Sequence, residues 1–138
     1  CQEALPRLID RRFRNVGQWW FKEHELDVLG LTSEGLVAGE CKFTSQPIGY
    51  DGLHDLESDV EDIRWTPQGG GAVTHAFCLF SRSGFNRSLI EAAEERDDLR
   101  LFSVADVVKW LGTPSPVCWL TEVELRASSG HGVLLISQ

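Results

Sequence analysis

The sequence predicts an α/β domain with a mixed central β-sheet flanked by helices. The expected order is helix, three strands, helix, strand, helix, strand, helix. Three observations carry this. Residues 25–31 and 36–43 are two largely apolar runs either side of the turn Thr32-Ser33-Glu34-Gly35, the pattern of an antiparallel hairpin. Ala76-Phe77-Cys78-Leu79-Phe80 is an unbroken apolar run, as in a strand buried on both faces. After the hairpin, stretches with helical spacing alternate with strands, which requires helices layered on a sheet.

Taken in order, residues 2–12 place Leu5, Leu8 and Ile9 on one helical face. Pro6 fits only near the first turn, so a longer helix breaks there. Residues 18–23 read as a strand whose Trp19 and Trp20 point to opposite faces; the inner ring joins the core, and the outer one can stack a base or dock a partner domain. The hairpin follows. Residues 50–65 read as an amphipathic helix: Leu53, Leu56, Val60 and Ile63 recur at helical spacing, and the acids occupy the other face. Thr66-Pro67-Gln68-Gly69-Gly70-Gly71 is a flexible loop. Next come a strand over 75–81, a helix over 86–96 and a short strand over 99–102. Ser103 caps a last helix running to Leu111, with Asp106 in the capping-box position and Gly112 as the stop. Residues 1–112 thus form the α/β domain. In 113–138, Thr113-Pro114-Ser115-Pro116 is a linker, and residues 117–126 and 132–136 are strand candidates for a terminal hairpin or a partner contact.

The hairpin carries the candidate chemistry. Pairing Leu31 with Leu36 sets Asp27 opposite Glu40 and Glu25 opposite Lys42. Cross-strand partners share a face with Cβ atoms roughly 4.5–5.5 Å apart. One face then displays Glu25, Asp27, Glu40 and Lys42, and the other displays Leu26, Val28, Val37, Gly39, Cys41 and Phe43. A rival register has Gly35 closing a three-residue loop with a bulge; Asp27 then opposes Cys41, and Glu40 points to the wrong face. The first register is preferred because it groups the charges. Such a face also reads as a solvated surface with a cross-strand salt bridge. Acids inside apolar strands are costly unless paired, and a divalent metal is the usual partner of converging carboxylates. A neighbouring lysine suits metal-assisted cleavage of a phosphodiester.

Asp27 followed by Glu40-Cys41-Lys42 resembles the PD-(D/E)xK nuclease superfamily. A fuller resemblance is to the uncharacterised domain found C-terminal to archaeal P-loop ATPases. It rests on Gly17-Gln18-Trp19-Trp20, Glu25-Leu26-Asp27-Val28, Gly39-Glu40-Cys41-Lys42-Phe43 and Phe80-Ser81-Arg82-Ser83-Gly84-Phe85, and covers roughly residues 1–112. The resemblance implies a restriction-endonuclease-like core. It also implies that Asp27 and Glu40, with the Cys41 backbone carbonyl, hold Mg²⁺ or Mn²⁺, and that Lys42 positions or activates the attacking water. Glu25 becomes a second-metal or supporting acid, and Glu3 the acid nearest the place of the superfamily's helix glutamate. DNA is the implied substrate, with RNA left open, and an ATPase domain is expected upstream of Cys1.

Composition bounds the alternatives. With 138 residues, 42% of them hydrophobic, the chain has one domain's worth of core. No run of ~18 apolar residues exists to span a membrane. Four cysteines show no CxxC spacing, and Cys41 and Cys78 read as small core residues rather than ligands or disulfides, so a reducing cytoplasm is expected. His24, His54, His75 and His131 lack zinc-ligand spacing. His24 adjoins the acidic strand, as a helper or as a plain edge-strand residue. A net charge of −8 argues against a simple nucleic-acid binder, although Arg7, Arg11, Arg12 and Arg14, and Arg82 and Arg87, are local basic clusters. The helix N-terminus after Ser81-Arg82-Ser83-Gly84-Phe85 is a candidate phosphate seat or an ordinary loop. No Gly-x-x-x-x-Gly-Lys-Ser/Thr occurs, so these residues do not form the ATPase itself. The competing class is a non-catalytic DNA-binding, regulatory or oligomerisation module of an ATPase, with homo-oligomers among the expected assemblies.

Overall fold

One twisted sheet organises the chain. The computed structural model describes residues 2, 4–22, 24–67, 69–111, 120–127 and 130–137, with side chains for all but residues 21, 110, 111 and the last two strands. Glu3, Gln68, Gly112 and the 113–116 linker lie outside the described residues. The elements are α1 (Leu5–Leu8), β1 (Phe13–Phe21), β2 (His24–Thr32), β3 (Gly35–Lys42), α2 (Tyr50–Glu61), β4 (Ile63–Arg64), β5 (Thr74–Ser81), α3 (Arg87–Glu95), β6 (Leu99–Ser103), α4 (Val104–Leu111), β7 (Leu120–Ala127) and β8 (Gly130–Ser137). Strand order is β4-β7-β8-β1-β2-β3-β5-β6. Within it, β1-β2-β3-β5-β6 form the expected mixed core: β1, β2 and β3 are antiparallel, and β3, β5 and β6 are parallel. This arrangement is consistent with a restriction-endonuclease-like core.

The β2–β3 register is the preferred one, with Leu31 opposite Leu36 and Val28 opposite Gly39. Thr32 fixes it. Its buried hydroxyl donates to Gly35 O (3.1 Å) and accepts from Gly35 N (3.0 Å) and Glu34 N (3.3 Å), closing the turn on itself. The rival register needs a left-handed residue for its bulge, and Gly35 does not supply one. Glycine is required there for a different reason: a Cβ would lie 2.0 Å from Thr74 O on β5.

Two apolar layers sandwich the sheet. Leu53, Leu56 and Val60 of α2 and Leu89 of α3 pack with Trp19, Leu29, Leu31, Leu36 and Leu79 on one face. Ala4, Leu5 and Val107 cover the other with Val16, Val28, Val37 and Phe80. Ile63 on β4 and Leu99 on β6, at opposite edges of the sheet, share the α2 cluster, so the sheet coils around that helix. Each fully buried leucine contributes about 1.5–3 kcal/mol, and together they fix α2 over β2 and β3. Helix caps follow the sequence. Asn86 accepts from Leu89 N at 3.0 Å, and Ser103 and Asp106 satisfy each other's backbone N–H at 3.3 and 2.7 Å.

Several expected boundaries are corrected. The first helix is four residues, not 2–12, because Pro6 sits in its first turn and Ile9 is already extended. β1 starts at Phe13 rather than Gln18, since residues 13–17 pair with β2. The second helix stops at Glu61, and Ile63–Arg64 pairs with β7 instead of extending it. β7 and β8 form the terminal hairpin, and β8 joins the free edge of β1, with Val16 opposite Ser137. Trp19 is fully buried and Trp20 is partly exposed, as alternation predicts.

Candidate functional site: an acidic groove between β2, β3 and α2

A β-bulge sets the position of Asp27. Gly17 pairs with Leu29 and Trp19 with Leu26, so Asp27 and Val28 together face only Gln18. Two residues against one is a bulge, a device that re-aims side chains. The β2–β3 ladder also stops at Val28. The carboxylate of Asp27 takes over there: Oδ2 accepts the Cys41 N–H at 2.8 Å. The bulge corrects the expected alternation. Leu26 packs in the α2 cluster with Leu29, whereas Val28 packs in the opposite layer. Glu25 is correspondingly turned toward Gln18, whose amide donates to its Oε1. It lines the rim of the groove rather than lying in line with Lys42.

Glu40 and Lys42 project from the same face of β3. Lys42 Nζ lies 2.7 Å from Glu40 Oε1, with both side chains partly buried. The lysine stem runs past α2 where that helix is slim, for a Cβ on Gly52 would meet Lys42 Cε at 3.9 Å and Ile48 at 2.7 Å. The hydrogen bond to Glu40 holds the Lys42 pKa above its usual value against the opposing effect of burial, and the charges of Glu40, Asp55 and Asp51 add to it. Lys42 is therefore an ammonium at neutral pH. It can stabilise negative charge but has no lone pair with which to take a proton.

Helix α2 closes the site. Its buried stripe turns Asp55, Ser58 and Asp59 toward β2 and β3. His24, Glu25, Asp27, Glu40, Asp55 and Asp59 thus line one open groove of about 570 Å³ with Ser58. His24 Nδ1 sits 2.7 Å from Asp59 Oδ1, tying the start of β2 to α2. The groove is strongly acidic, with Lys42 against its wall. Oxygen donors of this kind suit a hard cation, and Mg²⁺ is commonly held by one or two carboxylates, its remaining positions left to water and substrate phosphate. Asp27 and Glu40 fit that requirement, each committing one oxygen to a protein partner. Among the described residues, no three acid, histidine or cysteine side chains converge as a ready-made metal cage.

The structure thus brings together Asp27, Glu40 and Lys42, with Glu25 at the rim. Cys41 contributes its backbone N–H to Asp27, and its sulfur is disulfide-bonded, which corrects its reading as a free core thiol. Cys78 is the free, fully buried thiol expected, and desolvation pushes its pKa up. Asp55 and Asp59 were not singled out by the sequence, where they read as part of a solvated helix face. The available signal was their four-residue spacing with Ser58 between them, flanking the Leu53–Leu56–Val60 stripe. Arg82 lies beside the site, its N–H donating to Lys42 O at 3.2 Å.

The described residues include no helix long and apolar enough to cross a membrane. No curated protein and no solved structure matches the chain. Residues 1–55, which contain β1, β2, β3 and the start of α2, match a family model, DUF234, described as archaeal and bacterial proteins of unknown function.

Proposed function

We propose that the domain is a metal-dependent nuclease-like unit that hydrolyses phosphodiester bonds, with DNA as substrate. The observation that carries this reading is the bulge at Asp27. It spends a ladder position to aim one carboxylate into a groove lined by Glu40, whose carboxylate is paired with Lys42. Asp27 and Glu40 would hold Mg²⁺ or Mn²⁺, which when bound would polarise a phosphoryl oxygen and make water a stronger nucleophile. Lys42 would neutralise charge developing on the phosphoryl oxygens as water attacks phosphorus and the P–O bond to the leaving oxygen breaks. His24, held by Asp59, lines the same groove and would be the group nearest at hand to take the proton from the attacking water. The resemblance to a domain following archaeal P-loop ATPases supports placing this unit in an ATPase-linked protein.

The excess of carboxylates in the groove favours a second reading, a non-catalytic regulatory or oligomerisation module, since unneutralised acids repel a nucleic-acid backbone. Cleavage of labelled single- and double-stranded DNA with Mg²⁺, Mn²⁺ or EDTA separates the two. Metal-dependent products lost in Lys42→Ala, with the fold retained, support the nuclease. Identical products from wild type and Lys42→Ala count against it.

A further inference from the structure

Two loops meet where the parallel strands β3 and β5 end, the edge at which open α/β sheets bind ligands. Residues 43–49 run beside residues 82–86 and are bound to them. Arg82 N–H donates to Lys42 O (3.2 Å), Ile48 N–H to Gly84 O (3.0 Å) and Asn86 N–H to Ile48 O (2.9 Å), and the Ser83 hydroxyl donates to Thr44 O. On this fixed platform Phe43 is 66% exposed and Tyr50, at the start of α2, is 49% exposed. Phe43 follows Lys42 directly, and Tyr50 lies eight residues after it. Arg82 is exposed and forms no ion pair among the described residues. Phe43 is thus a large apolar ring kept in water at the end of β3, with an uncommitted guanidinium at the end of the neighbouring strand β5.

We propose that this platform seats single-stranded nucleic acid, one base stacked on Phe43 and an adjacent phosphate on Arg82, at the end of the strand that carries Glu40 and Lys42. This rests on the phosphodiesterase reading of the groove. Charge arithmetic selects the single strand. The chain carries 13 basic against 21 acidic residues, too few cations to hold a duplex through its phosphates. Affinity must then come from stacking, which needs a base free of its own stack. A ring is sequence-tolerant because every base offers a face, so DNA and RNA share the chemistry required.

The test is fluorescence anisotropy of the whole chain in EDTA with labelled oligothymidylate and oligouridylate of ~12 nucleotides, against a duplex of equal length. Wild type should bind either single strand more tightly than the duplex. Phe43→Ala should weaken binding roughly tenfold or more, while Phe43→Trp retains it. Arg82→Ala should flatten the dependence of log K on log salt by about 0.7. Equal affinity for duplex, no binding of any strand, or an unaffected Phe43→Ala overturns the proposal. Phe43 is exposed, so its variants fold. Because binding is read without metal and cleavage only with it, the platform and the nuclease reading fail separately.

Discussion

Replacing Asp27 separates its structural duty from its charge. Oδ2 accepts the Cys41 N–H at 2.8 Å where the β2–β3 ladder has ended. A hydrogen bond to a charged group is worth about 1.5–3 kcal/mol. Asp27→Ala removes the acceptor and leaves a partly buried N–H unsatisfied. Asp27→Asn keeps an acceptor oxygen and removes the charge, which relieves repulsion among Glu25, Glu40, Asp55 and Asp59 around the same groove. In EDTA the asparagine variant should therefore be at least as stable as wild type. The alanine variant should be less stable than the asparagine variant by about 1–3 kcal/mol. For a chain of this size each kcal/mol moves Tm by roughly 3–5 °C, well within reach of calorimetry or urea titration. Ala and Asn variants melting within about 1 °C of each other would refute the assignment of Asp27 as the substitute ladder acceptor.

Other expectations follow from single residues. Lys42 should titrate above its ordinary value, measured by NMR of its ε-carbon; its stabilising contribution is full below the unfolded pKa and is lost as pH rises through the folded one. A midpoint at or below the ordinary lysine value would contradict the Glu40 pairing. Gly39→Ala should destabilise by about 1–3 kcal/mol in urea titration through overpacking, because its Cβ would lie 2.5 Å from Cys78 Sγ and 3.2 Å from Cys78 O. Cys78 should resist a thiol reagent until the protein unfolds, for it is fully buried, its thiol donates to Ala38 O at 3.4 Å, and burial suppresses the thiolate. Fast labelling of Cys78 in the native protein would show that the β5 core opens.

The hairpin register was legible because it follows from local facts: a four-residue turn containing Thr32, and charges that group in one pairing and scatter in the other. The same facts concealed the bulge. Asp27 and Val28 look like ordinary alternating residues, and only the pairing of β1 with both ends of β2 reveals that two positions oppose Gln18. Glu25 accordingly keeps its place in the groove with Asp27 and Glu40 but turns to Gln18 instead of lying in line with Lys42. Asp55 and Asp59 were read as solvent-facing, since periodicity identifies the buried stripe of α2 but not what its flanks overhang. Only long-range coiling of the sheet around that helix brings them to Glu40. The early start of β1 was hidden by Arg14 and Asn15, whose polarity masks the stretch where β1 pairs with β2 alone. The Cys41 disulfide had no spacing signature at all.

The central claim is a two-carboxylate cation site at Asp27 and Glu40. Titrating Mn²⁺ into the protein by calorimetry, beside Asp27→Asn and Glu40→Gln, tests it most directly, because both variants keep an acceptor oxygen for the local hydrogen bonds. The account predicts saturable binding by wild type that each variant weakens and the double variant abolishes. Mn²⁺ bound equally by wild type and the double variant, or by neither, would contradict it.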